Sequence, residues 1–317
     1  MKDDFYTQFE QAFRGERPEI KARLQVYAPF IEPLIDLYPD AIALDLGCGR
    51  GEWLEVLRDK GLAAQGVDLD DGMLTECRKL NLNASLQDAI AALNSFENES
   101  ISMVSAFHLV EHISFETLRS LISEAFRVLK PGGLLVLETP NPDNILVGTS
   151  NFYLDPTHTR PIPPGLLKFM SKYYGFINGT VLGLQESPTL RENASPSLRD
   201  VLGGASPDYA LVAQKSAPEE IIARFKAAFS LEHGLTTDTL MNRFDQHRQQ
   251  GHAELSQAIA VLGTQSQQQH AELTQAVSAL NAQIHAVYSS SSWRVTRPLR
   301  ALGSALRHAK EWLKLKR

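Results

Sequence analysis

The chain has 317 residues, 43% of them hydrophobic and 21% charged, with a net charge of −6. This is the composition of an ordinary soluble globular protein, long enough for one large core plus an appendage, and no stretch approaches the length of a membrane span. Two cysteines, Cys48 and Cys77, exclude a disulfide framework and point to a reducing compartment. The acidic start Met1-Lys2-Asp3-Asp4-Phe5 lacks an apolar signal segment, so a cytoplasmic location is expected. The charge is unevenly spread. Residues 293–317 hold eight Lys and Arg against one Glu, a net +7, which leaves −13 on the other residues. An acidic body with a basic tail directs the tail towards anionic surfaces.

Residues 1–40 read as a helical cap. Next, the apolar run Ala41-Ile42-Ala43-Leu44 leads into Asp45-Leu46-Gly47-Cys48-Gly49-Arg50-Gly51 and then Glu52-Trp53-Leu54-Glu55-Val56-Leu57. A buried strand that passes through a glycine turn into a helix makes a nucleotide cradle, because glycine backbone can approach a ligand and a helix start offers unpaired N–H groups. A dinucleotide site has the pattern G-x-G-x-x-G. Here Glu52 takes the place of the third glycine of that pattern, and a carboxylate there repels a pyrophosphate. Asp45, at the strand end, suits a cationic amino group. S-adenosylmethionine carries an ammonium, a sulfonium and no phosphate. The motif Asp45-x-Gly47-x-Gly49-x-Gly51 resembles the first motif of the class I S-adenosylmethionine-dependent methyltransferases.

Strand and helix patterns alternate from residue 41 to 217, the signature of a mostly parallel sheet with helices on both faces. Strands are expected at Ala64 to Val67, Ala84 to Gln87, Ile101 to Phe107, Leu134 to Glu138, Phe176 to Leu184 and Asp208 to Gln214. A helix from Phe115 to Leu129 is expected to stop at Lys130-Pro131-Gly132-Gly133, and another spans Gly165 to Tyr174. The resemblance implies a Rossmann-like, seven-stranded class I methyltransferase sheet over 41–217. Asp68, closing the second strand, stands where an acid accepts both ribose hydroxyls. The resemblance assigns Asp88 to the adenine amino group. Arg23, in the cap, is a candidate partner for the methionine carboxylate.

Methyl transfer to oxygen needs the acceptor positioned and its proton removed. One cluster able to do this follows the fourth strand, His108-Leu109-Val110-Glu111-His112. The other is the loop Asn151-Phe152-Tyr153-Leu154-Asp155-Pro156-Thr157-His158-Thr159-Arg160-Pro161, too polar to be core. His158 is the expected base, with Asp155 orienting it or His112 helping, and Glu111 beside them. The same four residues could ligate a divalent metal, but no tight ligand spacing supports it and none is expected. A phosphate acceptor would need no base and would give Arg160 the larger role.

Residues 218–234 read as a linker and 235–288 as a helical stalk. In the stalk His252-Ala253-Glu254-Leu255-Ser256-Gln257-Ala258-Ile259 recurs as His270-Ala271-Glu272-Leu273-Thr274-Gln275-Ala276-Val277. The 18-residue offset is five helical turns, and from Leu273 the spacing becomes heptad-like, so a homo-oligomeric coiled coil is expected. Residues 289–317 read as a basic amphipathic tail, with Leu299, Leu302, Leu306 and Leu313 on one side and Trp293 and Trp312 near its ends. It suits an anionic membrane surface or a protein partner such as a glycosyltransferase; no nucleic acid is expected. The run Asp155-Pro156-Thr157-His158, the opening Phe13-Arg14-Gly15 and the approach to Trp293-Arg294-Val295-Thr296 resemble methyltransferases of bacterial surface-polysaccharide clusters. That resemblance implies O-methylation of a lipid-linked glycan at the inner membrane face. A small-molecule methyltransferase of the quinone-biosynthetic kind and a non-catalytic scaffold are the alternatives.

Overall fold

The computed structural model describes residues 15–315, the last six as backbone only. The first fourteen residues of the expected cap, with Phe13 and Arg14, lie outside the described residues, as do the side chains of Trp312 and Leu313. Seven strands form one sheet: β1 (Ile42–Leu46), β2 (Ala63–Asp68), β3 (Ala84–Leu86), β4 (Ile101–Phe107), β5 (Leu129–Pro140), β6 (Phe176–Leu184) and β7 (Asp208–Lys215). Their order is β3-β2-β1-β4-β5-β7-β6, with β7 antiparallel to both of its neighbours and the rest parallel. The order reverses direction at β1 and β4, so ligands are expected beyond the carboxyl ends of these strands.

Two apolar layers cover the sheet, as the period of two along each strand dictates. Leu44, Leu46, Val104, Ala106, Leu135 and Leu137 face the helix Phe115–Val128, which presents Leu118, Leu121, Ile122, Ala125 and Val128 at helical spacing. Ala43, Met103, Leu134 and Val136 face the other way, onto Tyr27, Phe30, Ile31 and Leu34 of the N-terminal helices. The expected cap is therefore part of the core.

Three expectations are corrected. The helix from Phe115 stops at Val128, within one residue of the expected end, but the strand does not wait for Leu134: β5 begins at Leu129 and runs through Lys130-Pro131-Gly132-Gly133, with Gly132 at φ 73° absorbing the irregularity. A Cβ at Gly132 would lie 2.4 Å from Ile221 Cγ2. That close neighbour belongs to residues 218–234, which are not a linker but hold the helices Glu219–Arg224 and Lys226–Phe229. Phe225 is fully buried and Phe229 packs edge-on against Phe30 at 5.3 Å between centroids. The four apolar residues Ile221, Phe225, Ala228 and Phe229 form a helical stripe too short to stand out in the sequence. Finally, the helix Thr237–Ser289 does not begin as free stalk. Leu240 is buried with Val201, Ala205 and Leu235, Phe244 packs on them, and the compact unit extends to His247.

The second unit is Arg248–Arg317. None of residues 248–309 is buried, and Leu255, Ile259, Leu273, Val277, Leu280 and Ile284 are exposed along the helix. The helix runs unbroken through Gly251 and Gly263 for 53 residues and stops at Ser290, whose hydroxyl caps the short helix Ser291–Val295 by accepting from Trp293 N–H. Trp293 rests edge-on against Tyr288, and the Arg300 guanidinium lies over its ring at 3.7 Å. The last helix is Arg297–Leu315. Among the described residues no helix is long and apolar enough to cross a membrane.

Candidate active site

A cavity of about 1310 Å³ opens at the carboxyl edge of β1, β2, β4 and β5, lined on one side by the glycine loop and on the other by the loop after β5. Arg23, Asp45, Gly47, Gly49, Asp68, Asp88, His112, Asp155 and His158 all line it. Of the expected site residues only Gly51 and Glu111 stand behind its wall.

The cofactor side is built largely by main chain. Gly47, Gly49 and Gly51 have φ of 71°, 53° and 84°, a region that side chains disfavour. The N–H groups of Gly47 and Cys48 donate to the Val67 carbonyl at 2.8 and 3.0 Å, clamping the loop to the end of β2. At Gly51 space also matters, since a Cβ would meet Cys77 Sγ and Leu82 Cδ1 at 2.7 Å. Asp68 accepts from Gly49 N–H through Oδ2 and from Asp70 N–H through Oδ1, both at 2.8 Å. Its carboxylate is thus locked, and each oxygen keeps a lone pair for a vicinal diol. Asp45 is buried, and the Ser105 hydroxyl, itself accepting from the Trp53 indole, donates to its Oδ1 at 2.7 Å.

Asp88 plays the ordinary structural part as well: its Oδ1 accepts from the N–H groups of Ile90 and Ala91 and caps the helix Ala89–Asn94. Glu52 does occupy the helix start, but not as a bare charge. Arg50 Nε stands 2.9 Å and Arg17 Nη1 3.6 Å from its Oε1. With two guanidiniums beside it, the Glu52 carboxylate is largely neutralised and repels a pyrophosphate less than its bare charge suggests. Arg23 is exposed at the cavity rim.

The far side is built by side chains from distant segments. His108 follows β4 with φ 52°, its Nδ1 3.2 Å from Glu111 Oε1 and its Nε2 3.6 Å from Glu138 Oε1. Thr139 hydroxyl donates to Glu111 Oε2 at 2.9 Å, and the Tyr27 hydroxyl donates to Glu138 Oε2. His108 is open to the cavity on one side; loss of water on the other works against its charge, yet hydrogen bonds to Glu111 and Glu138 and the nearby Asp208 hold its pKa well above the usual value. Burial pushes Glu111 up, but His108 outweighs it and the carboxyl stays below its ordinary range. Asp208 is pushed up to about 6 by burial, with His108 opposing and Glu138 and Glu111 adding to the rise. Burial first, and Glu138 second, raise Tyr27 well above a normal phenol.

Tyr27, Glu138 and Asp208 were not expected from sequence. Glu138 carried a usable signal, an acid closing an apolar strand like Asp45 and Asp68. Asp208 opens a strand, and only the antiparallel direction of β7 brings it to the same edge.

The loop after β5 supplies the remaining chemistry. His158 Nδ1 lies 2.6 Å from the Phe152 carbonyl and its ring tilts over the Phe152 ring at 4.5 Å. Asp155 does not orient it as expected: Asp155 Oδ2 is 3.9 Å from His158 Nε2, and Oδ1 accepts from Thr157 N–H at 2.8 Å and Thr157 hydroxyl at 2.6 Å. The Phe152 carbonyl does that work. His112 meets His158 edge-on at 4.7 Å, and Thr159 N–H donates to the Glu111 carbonyl at 2.8 Å, docking the loop. Arg160 stacks on Phe115 at 4.6 Å and does not line the cavity. Sequence spacing offered no metal site, but the fold brings single donor atoms of Glu111, His112 and His158 within 4.8 Å of one another.

A glycine loop clamped to β2, an acid set for a diol and a sheet reversing at β1 and β4 define a nucleoside-binding α/β enzyme. The profile of the family described as "Methyltransferase domain" matches residues 44–137. A solved SAM-dependent methyltransferase from Archaeoglobus fulgidus is 33% identical, covers 67% of this chain and is itself wholly covered, with a TM-score of 0.59. The chain belongs to the S-adenosylmethionine-dependent methyltransferases, enzymes that use S-adenosylmethionine. A protein of Mycolicibacterium smegmatis named "Probable S-adenosylmethionine-dependent methyltransferase" is 28% identical over 149 residues, 47% of this chain and 57% of that protein. A ubiquinone biosynthesis O-methyltransferase of Hydrogenovibrio crunogenus is 26% identical over 189 residues, 55% of this chain and 75% of that protein. The matched part thus spans little more than half the length of the Mycolicibacterium relative.

Proposed function

We propose that this methyltransferase acts on oxygen, methylating a hydroxyl of a cell-surface glycan at the cytoplasmic face of the membrane. The observation that carries the reading is the second half of the cavity: a polar loop holding Asp155, Thr157 and His158, with His112 against it, facing the glycine loop. At about 1310 Å³ the cavity exceeds the roughly 300–1,000 Å³ of a typical single-ligand pocket, which leaves room for an acceptor beside the nucleoside.

S-adenosylmethionine supplies an electrophilic methyl group and leaves as a neutral thioether. The chain's own residues must then hold the acceptor and take its proton. With Nδ1–H donated to the Phe152 carbonyl, a neutral His158 presents a bare Nε2 to the cavity, the atom that accepts the hydroxyl proton. A hydroxyl fits better than a phosphate, because Glu138, Asp208 and Asp155 line the cavity, Arg191 there is already paired with Glu186, and Arg160 is engaged elsewhere. The exposed apolar stripe of the long helix would join copies of the chain, and the basic tail would hold them at an anionic membrane or a glycosyltransferase. The Hydrogenovibrio relative's name supports a second reading, a small aromatic hydroxyl acceptor.

Labelled methyl transfer into cell-envelope fractions tests this, comparing wild type with Asp68→Ala and His158→Ala. Label in polysaccharide that both variants lose is the expected result. Label confined to small solvent-extractable molecules selects the second reading, and none in either sinks both.

A further inference from the structure

Two histidine nitrogens in the cavity are left without protons by the bonds their rings make. Thr157 has one hydroxyl proton and donates it to Asp155 Oδ1 at 2.6 Å. Its oxygen, 2.9 Å from His112 Nδ1, must therefore accept from that ring, so the proton of a neutral His112 is on Nδ1 and its Nε2 is bare. His158 is fixed in the same tautomer by the Phe152 carbonyl, 2.6 Å from its Nδ1. The two rings meet edge-on at 4.7 Å and both line the cavity. Anchoring of the distal ring N–H by a carbonyl or hydroxyl is the outer-shell arrangement of metal-binding histidines. The Glu111 carboxylate lies behind them, one donor atom of each of the three within 4.8 Å of the others.

We propose that His112, His158 and Glu111 form a site for a divalent first-row transition metal, the class of ion that two imidazoles and a carboxylate suit. The inference rests on the acceptor hydroxyl binding at this histidine pair and changes how the pair activates it. With the cation in place His158 is a ligand. The bound hydroxyl becomes more acidic, and its proton passes to Asp155 Oδ2, 3.9 Å from His158 Nε2, which accepts no hydrogen bond from Thr157. The oxygen then bonds to the methyl carbon as the carbon–sulfur bond breaks, so the proton, the methyl group and the electron pair are all accounted for.

The test uses the full chain after treatment with a chelator, titrated calorimetrically with Zn²⁺ or Mn²⁺ alone, with Co²⁺ absorption as an independent readout. One site per chain is expected, weakened in His112→Ala and in His158→Ala by more than the roughly 10–100-fold that loss of an outer-shell partner costs. Glu111 is fully buried and paired with His108, so its variant risks the fold. Asp155→Asn serves instead, and should leave metal affinity unchanged while lowering turnover. Retained S-adenosylhomocysteine binding certifies that each variant is folded. The long helix carries its own histidines, so His252→Gln with His270→Gln is the control and should leave the site intact. Absence of binding, or binding lost only in the helix variant, overturns the proposal. If the chelated enzyme turns over fully and His158→Ala abolishes turnover, the cation is rejected and the base reading stands. If the metal binds as expected but no hydroxyl is labelled, the acceptor reading fails and the site survives.

Discussion

The two halves of the cavity are made in opposite ways. The cofactor half is a backbone device: three glycines in left-handed conformation, two N–H groups on the Val67 carbonyl, and Asp68 bound at both oxygens to main-chain donors. All of this comes from one stretch of about 25 residues around β1 and β2. The half proposed for the acceptor is a side-chain device whose parts, His108, Glu138, His158 and Asp208, with Tyr27 behind Glu138, are scattered along the chain. A backbone cradle fixes one ligand shape and tolerates little change. A nest of side chains can be altered residue by residue, so acceptor identity can diverge while the cofactor stays the same.

If the halves are separable, a change in one should leave the other's property intact. His158→Ala is the severe case: removing the atom proposed to take up the acceptor proton, or to ligate the ion that acidifies it, should lower kcat by about 100–1,000-fold. S-adenosylhomocysteine affinity should stay within about twofold, being set by main-chain contacts elsewhere; a parallel loss of both, read by calorimetry beside turnover, would break the separation. Asp68→Ala should do the reverse, weakening cofactor affinity by about 100-fold. It removes a charged anchor for the diol and frees Gly49 N–H and Asp70 N–H, and about 3 kcal/mol is reasonable for bonds to a charged group.

Gly51→Ala tests the cradle as architecture. The added Cβ would approach Cys77 Sγ and Leu82 Cδ1 to 2.7 Å at φ 84°, and left-handed backbone alone costs an alanine about 1 kcal/mol. A loss of about 2–3 kcal/mol in denaturant unfolding is expected, and an unchanged midpoint would show that the loop can relax. On the other side, Asp208 has a pH signature. Its carboxyl is raised from 3.8 to about 6 in the fold, chiefly by burial, so the native state binds this proton more tightly than the unfolded chain does. Its contribution therefore favours folding at low pH and is lost as pH rises from about 3.8 through about 6, beyond which the cost is constant at about 3 kcal/mol. Asp208→Asn should gain stability over wild type progressively between about pH 4 and 6 and hold that gain above it, measured as the difference in Tm; a difference that stays level from pH 4 to 6 would mean that the cavity already solvates the carboxylate.

The same contrast explains what could be read from the sequence. Gly47, Gly49, Gly51 and Asp68 announce themselves because backbone demands confine residue type at fixed spacing, and the strand order then follows from the resemblance they carry. The acceptor half left only local hints. The polar loop at 151–161 was visible because its residues are unlike core, yet which group holds His158 was not: Asp155 is nearer in sequence, and the Phe152 carbonyl leaves no mark in the composition. The proposed metal ligands His112 and His158 are separated by 46 residues, so no spacing rule could join them. The mistaken linker at 218–234 has the same origin, since Phe225 and Phe229 declare their burial only once Phe30 and Gly132 are beside them.

Removing residues 248–317 should have the smallest effect on the cavity, and for that reason it tests the comparison at its boundary. Every residue lining the cavity lies between Ile20 and His233, Leu240 and Phe244 stay on their apolar patch, and nothing from 248 to 309 is buried. Cofactor affinity should remain within about twofold and the unfolding free energy within about 0.5 kcal/mol, the range of changes that remove no packed contact. If the helix joins copies of the chain, the truncated protein's mass by light scattering should fall to that of a single chain. If the tail delivers the enzyme to its acceptor, labelling of membrane-bound glycan should collapse while transfer to a soluble acceptor continues. Loss of both activities together would place part of the acceptor site in the second unit and join the two regions that the cavity lining keeps apart.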